Sequence, residues 1–261
     1  MMPVTRENLK SDMLKTVVIR FDYTGMTNFR MFVEKLKRKE WMQEAFDGLR
    51  IIRPIRQNII VPTKTATLPV GDRVRNVTYH FEKCSLEPYS DAVFDVSEDC
   101  LCLTVNCSEH YSGSKSYTVF MTKVLSLLRQ TDKYVSLERV GIRKIDFIGL
   151  KNLEQIFSFF NERFVVAQNW NNWKRETTQT ELLQIDDFYF NVVQHIRKMA
   201  DDDFRIVLDI DAYAGDELLQ ILGRQPSETF EVLDQNMQNI MFSLYVNVLA
   251  ESYIDSHLRH E

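Results

Sequence analysis

Sixteen consecutive residues near the end of the chain, Gln235 to Ala250 (QNMQNIMFSLYVNVLA), carry no formal charge. Phe230, Leu233, Met237, Ile240 and Leu244 recur at three- and four-residue spacing, and Met241, Tyr245, Val248 and Leu249 widen that stripe. The rhythm predicts a helix over 229–258. A helix apolar over so much of its girth is buried on more than one side. Interspersed Asn and Gln exclude a membrane reading, and no stretch of the chain reaches the roughly 18 apolar residues of a membrane span. The cover must therefore be protein. One side is the helix's own sheet. The other is either the first half of the chain, which makes the helix a shared spine, or a second copy about a two-fold axis. In that homodimer Met241 and Tyr245 would be partner-binding side chains at the seam. The spine is preferred, because the first half also needs something to cover its sheet.

An expected internal repeat organises the rest. VVIRFDYTGMTNFRMF, Val17 to Phe32, aligns with VGIRKIDFIGLKNLEQIF, Val140 to Phe157. From Phe21 and Ile145 onward there is no gap: Asp22, Gly25 and Asn28 fall on Asp146, Gly149 and Asn152. Ile19-Arg20 matches Ile142-Arg143 after a one-residue slip, which a β-bulge would absorb. In both places the pattern reads as a strand, a glycine turn and a helix start. Helices are predicted near 27–47, 116–131 and 151–163, and a hairpin near 92–105 turning at Ser97–Asp99. A second hairpin is predicted across Asp201–Asp203, and 63–76 reads as a loop. The predicted class is α+β, with two related β-α-β-meander-α halves, antiparallel sheets and a long C-terminal helix. The halves are residues 1–134 and 135–261.

A chain of 261 residues, 44% hydrophobic, can bury such a core without disulfides. Its beginning, MMPVTRENLKSDMLK, lacks the apolar run of a secretory signal, so a cytoplasmic location with reduced cysteines is expected. Cys84, Cys100, Cys102 and Cys107 contain no Cys-x-x-Cys pair. They read as small core residues rather than zinc ligands, with Cys100 and Cys102 on one face of a strand.

The stretch LDIDAYAGDELLQ, Leu208 to Gln220, raises a chemical alternative. A D-x-D strand resembles the palm of nucleotide cyclases and polymerases, where aspartates on neighbouring strands hold two metal ions. Such a palm needs a further carboxylate on an adjacent strand, and here the chain turns helical after Asp211. Asp216 and Glu217 suit a helix N-terminus, where negative charge offsets the helix dipole. Asp209 and Asp211 then lie together on a half-exposed strand face, opposite Leu208 and Ile210. SGSKS at 112–116 lacks the glycine a phosphate loop needs, since Ser108 stands there. Nor is there a Gly-x-Ser-x-Gly elbow or a His-Glu-x-x-His helix. No catalytic residue, metal or cofactor is assigned.

Charge is unevenly divided. Residues 1–83 hold 16 Lys+Arg against 9 Asp+Glu, and residues 84–261 hold 16 against 28. A basic front and an acidic remainder suit an anionic partner at the front or head-to-tail contact with another copy. KLKRKEW places Lys37 and Arg38 on a helix as partner-binding residues, although Glu34, Glu40 and Glu44 dilute the patch for nucleic acid. NWNNWK offers Trp170 and Trp173 as two further partner-binding candidates. Arg139 and Arg143 flank Gly141 on one strand face, and with Arg20 they could line an anion-binding cleft between the halves.

LERVGIRKID, Leu137 to Asp146, resembles the Arg-Val-Gly-Leu-Arg-Tyr-Ile-Asn signature of a sporadically distributed bacterial family of similar length and no assigned function. VVIRF, VLDIDAY and VLDQNMQNIMFSLYV stand in the matching order around it. Lys144 replaces the signature's tyrosine and Asp146 its asparagine. The resemblance implies an association with mobile or defence loci. Three function classes follow. The first is a non-catalytic interaction protein, such as an antitoxin, inhibitor or accessory subunit of a defence system. The second is a sensor binding a small anion or nucleotide through Arg20, Arg139 and Arg143. The third is a metal-dependent nucleotide enzyme using Asp209 and Asp211.

Overall fold

The computed structural model describes residues 4–5, 13–52, 77–107, 115–161, 176–199, 203–224 and 226–257. Its strands are β1 (Leu14–Thr24), β2 (Phe46–Ile52), β3 (Thr78–Cys84), β4 (Ala92–Val96), β5 (Cys100–Asn106), β6 (Ser136–Leu150), β7 (Glu176–Ile185), β8 (Phe188–Lys198) and β9 (Phe204–Ala214). All join one sheet in the order β2-β3-β4-β5-β1-β6-β9-β8-β7. Neighbours are antiparallel throughout. The helices are α1 (Phe29–Lys37), α2 (Glu40–Ala45), α3 (Lys115–Thr131), α4 (Leu153–Phe159), α5 (Asp216–Arg224), α6 (Pro226–Val248) and α7 (Glu251–His257). The fold is α+β. Segments 1–134 and 135–261 meet at the centre of a single sheet, where β1 pairs with β6. The expected loop at 63–76, residues 112–114 of SGSKS, and both Trp170 and Trp173 lie outside the described residues.

Strand alternation sorts side chains between a covered and an open face. On β1, Val17, Ile19, Phe21 and Tyr23 are buried, while Arg20 and Thr24 are exposed. On β9, Phe204, Ile206, Leu208, Ile210 and Ala212 are buried, and the residues between them are not. The helix layer lies on the covered face. Phe21 of β1 meets Phe230 of α6 edge to face at 4.9 Å, both rings fully buried. Burying a ring of that size contributes about 1.5–3 kcal/mol, so this face supplies most of the driving force.

The uncharged run lies in α6 and the residues just after it, and α6 touches both chain segments. Thr118 of α3 donates to Asp234 Oδ2 at 2.8 Å, and Lys144 Nζ of β6 donates to Gln238 Oε1 at 3.3 Å. Met13 N donates to the Tyr245 hydroxyl at 3.4 Å. Met241 and Tyr245 are buried within the chain, 1% and 7% exposed, so neither is presented to a partner. Their apolar surface is already covered by this protein's own core. The expected helix over 229–258 is two helices. The break falls at Leu249–Ala250, where Leu249 forms an antiparallel bridge with Phe160. Asn161 N donates to Val248 O and Ala250 N to Phe159 O, so backbone that would continue the helix is spent on a neighbouring segment. The expected 27–47 helix is likewise split, because Lys39 adopts an extended conformation, and the chain enters β2 at Phe46.

Two parts of the sequence alignment between the segments behave differently. Ile19-Arg20 and Ile142-Arg143 share facing: both isoleucines are covered and both arginines open. Downstream, Asp22 lies on the open face but Asp146 on the covered face, where it is buried. Gly25 turns the chain with φ 76°, whereas β6 runs through Gly149 to Leu150. The bulge also lies elsewhere: β6 alternates from Arg143 to Asp146, and the extra residues are in β1 between Leu14 and Thr16 and in β6 at Glu138, opposite Asp22–Tyr23.

Asp132 closes the junction between α3 and β6 onto the start of α1. Its Oδ2 accepts from Thr27 N at 2.6 Å, Thr27 Oγ1 at 2.7 Å and Asn28 N at 3.1 Å. Its Oδ1 accepts from Tyr134 N at 3.0 Å. These hydrogen bonds, chiefly the one from the Thr27 hydroxyl, hold its carboxyl below the usual carboxylate range.

Candidate functional site on the open sheet face

The open face follows from register. One row crosses the sheet from Arg50 on β2 through His80, Asp95 and Cys102 to Arg20 on β1. It continues through Gly141 on β6 and Tyr213 on β9 to Tyr189 and Gln184. Adjacent positions two residues along bring Asp22, Arg139, Arg143 and Asp211 onto the same face. Arg20, Arg139 and Arg143 are thus assembled around Gly141, as their spacing suggested.

Each of these arginines faces a carboxylate. Arg20 Nε donates to Asp22 Oδ1 at 2.7 Å. Arg143 grips Asp209 with two bonds, Nε to Oδ1 at 2.8 Å and Nη2 to Oδ2. Arg139 Nη2 donates to Asp211 Oδ2. The hydrogen bonds that Arg20 and Arg143 donate to Asp22 and Asp209 respectively raise the pKa of each arginine, so both cations are further committed to these pairs. The opening of the D-x-D stretch is therefore a pair of arginine-bound carboxylates. Asp209 is the more enclosed, with 13% of its side chain accessible under the Arg143 fork. Among the described residues no group of three His, Cys, Asp or Glu side chains could hold a metal ion.

Gly141 has a packing reason. A Cβ there would stand 2.5 Å from the Ala212 carbonyl oxygen and 3.1 Å from the Tyr213 Cβ. The β9 backbone passes as close as glycine permits. Tyr213 then carries the Arg139 guanidinium over its ring at 4.8 Å and stacks on Tyr189 at 5.5 Å. This aromatic pair was legible only through register. Both tyrosines alternate with buried neighbours, but nothing local says that β8 and β9 bring them side by side.

The other half of the sheet extends the polar face. His80 Nδ1 and Asp95 Oδ1 lie 2.7 Å apart, and Arg50 lies 3.4 Å from Glu82. Cys84 and Cys107 are buried in the core as expected, but Cys100 and Cys102 are on the open face beside Arg20. Their thiols are shielded there, and burial pushes both pKa values up, keeping them protonated. Lys37 pairs with Glu34 at the end of α1, and Arg38 is exposed just beyond it. Neither belongs to the open face, because α1 packs against α3 in the helix layer.

The face can recognise a surface more readily than it can trap a lone anion. Its three central guanidiniums meet three carboxylates, so their charge is locally balanced. Tyrosine and arginine are the side chains most enriched where protein interfaces concentrate their energy. Phe147, 39% exposed on the same face, adds apolar area. Among the described residues no helix is long and apolar enough to cross a membrane. Comparison with protein-family models, curated proteins and solved structures finds no match to this chain.

Proposed function

We propose that the protein is a non-catalytic interaction protein that docks a protein partner through the open face of its sheet. The observation that carries this reading is the one-sided helix layer, which leaves exposed a broad strand surface of paired Arg and Asp with a Tyr189–Tyr213–Arg139 stack. The partner's complementary surface would exchange its own charged and hydrogen-bonding groups with these ladders, which favours specificity over raw affinity. The two segments meeting at β1 and β6 are read as copies of one strand-helix-meander-helix unit. A role as antitoxin, inhibitor or accessory subunit of a bacterial defence or mobile-element system is supported by the resemblance around Leu137–Asp146. The test is co-purification from the native host with wild type, Tyr213→Ala, Arg143→Ala and the helix-layer variant Arg38→Ala, each first shown to melt cooperatively. Loss of the partner in the open-face variants alone is the expected result. Loss only in Arg38→Ala refutes the assignment.

A second reading, an anion or nucleotide sensor, has one observation in its favour: the convergence of Arg20, Arg139 and Arg143 around Gly141. It requires the ligand to displace Asp22, Asp209 or Asp211. A thermal-shift screen with nucleotides tests it, since a ligand at 100 times its Kd stabilises by about 2.7 kcal/mol.

A further inference from the structure

Away from the open face, a cavity of about 630 Å³ lies between α5, the chain entering β6 and the end of α3. Its charged groups come from three separate elements. Asp216 and Arg224 stand at opposite ends of α5, Glu138 lies on β6, and Arg129 lies in the last turn of α3. Arg129 Nη1 is anchored on the Val135 carbonyl. Its Nη2 reaches the far end of α5, because a Cβ on Gly223 would stand 3.8 Å away.

The two signs of charge are segregated. Glu138 and Asp216 both line the cavity, and Asp216 follows three residues after Tyr213, which pairs with Gly141 of β6, so these two acids stand toward one end. Arg129 and Arg224 mark the other. Asp216 and Arg224 are eight residues apart on one helix, about 12 Å at roughly 1.5 Å per residue. Val135 and Glu138 are three residues apart in extended chain, about 10 Å at roughly 3.3 Å per residue. The two rulers put the ends roughly 10–12 Å apart. The wall between the ends includes Leu137 and Leu219, both largely buried.

Unlike the ladders of the open face, these charges are not paired off. Among the described residues Glu138, Asp216 and Arg224 form no ion pair. The helix dipole accounts for an acid at the start of α5 and a base at its end. It makes no demand for Glu138 or Arg129, which other elements bring to the matching ends.

We propose that this cavity binds a free, extended oligopeptide of about three residues. Its ammonium sits between Glu138 and Asp216, and its carboxylate is held by Arg129 and Arg224. Three residues of extended chain span about 10 Å, the separation of the two charged ends. A single amino acid is too short to engage both, and a chain terminus of a larger protein supplies only one of the two charges.

Calorimetric titration of the full chain with trialanine, its N-acetylated form, its C-terminal amide and free alanine tests this. Trialanine binds, and each of the other three binds about tenfold more weakly or worse, since losing one charge-assisted contact costs at least a factor of that order. Arg224→Gln and Glu138→Gln alter exposed side chains, and their melting temperatures verify that they fold. Arg224→Gln weakens trialanine and narrows its advantage over the amide. Glu138→Gln narrows the advantage over the acetylated peptide. No binding of trialanine at millimolar concentration overturns the proposal, as does binding that is indifferent to blocking either end.

Discussion

Asp132 offers the most searching test of how the two segments are joined. Its carboxylate accepts three hydrogen bonds from the turn before α1 and one from Tyr134 N. In Asp132→Asn the side chain keeps its size but only one oxygen. If that oxygen serves Thr27 and Asn28, the new amide N–H faces the Tyr134 N–H, donor against donor. A hydrogen bond to a charged group contributes about 1.5–3 kcal/mol, and an unsatisfied buried donor costs about 1–3 kcal/mol. Thr27 and Asn28 are exposed, so water recovers part of the first contribution. The expected loss is about 2 kcal/mol at neutral pH. The sign of its pH dependence follows from the depressed carboxyl pKa in the fold. A carboxyl held below its unfolded value of about 3.9 stabilises fully above that pH, and the contribution vanishes as pH falls through the folded value. Urea unfolding of wild type and Asp132→Asn at neutral pH, and at two pH values below about 4, should show the gap narrowing on acidification. A gap that stays constant with pH, or is under about 0.5 kcal/mol at neutrality, refutes the clasp.

Three other perturbations probe different layers. Gly141→Ala drives a methyl group against the Ala212 carbonyl and should cost about 1–3 kcal/mol in chemical denaturation; a neutral result would mean β9 is not held so close. Tyr245→Glu places a carboxylate where a 7%-exposed ring sits and should unfold the chain or lower its stability by more than about 3 kcal/mol, read by circular dichroism beside light scattering. A folded protein of unchanged stability there would put α6 at the surface. The Arg143–Asp209 pair, half-exposed on the arginine side, should show a coupling of about 1 kcal/mol or less in a double-mutant cycle, and less in 1 M salt.

Much of the fold was legible because its signals are local. The period-two alternation of FRIVLDIDAYA and the three-four rhythm of α6 each follow from which side of an element must be dry. The D-x-D alternation placed Asp209 and Asp211 together, away from Leu208 and Ile210, for the same reason. Arg139, Gly141 and Arg143 could be put on one strand face by parity alone. Helix ends were less legible. The breaks at Lys39 and Leu249 depend on backbone conformation and partners that composition does not encode; Leu249 is an unexceptional helix residue until Phe160 takes its backbone.

What the sequence by itself determined was the α+β class of the protein, the inward residues Leu208 and Ile210 of β9, and the need to bury the uncharged run of α6. Those are consequences of hydrophobic periodicity, and periodicity is readable one segment at a time. Tertiary structure alone decided that β1 and β6 pair at the centre of one sheet, and that α6 lies across both segments with Met241 and Tyr245 inside. It also decided that Arg139 and Arg143 meet Asp211 and Asp209. Strand order and register join residues some seventy positions apart, and the free energy that selects one register is shared over the whole buried face rather than written in any one stretch.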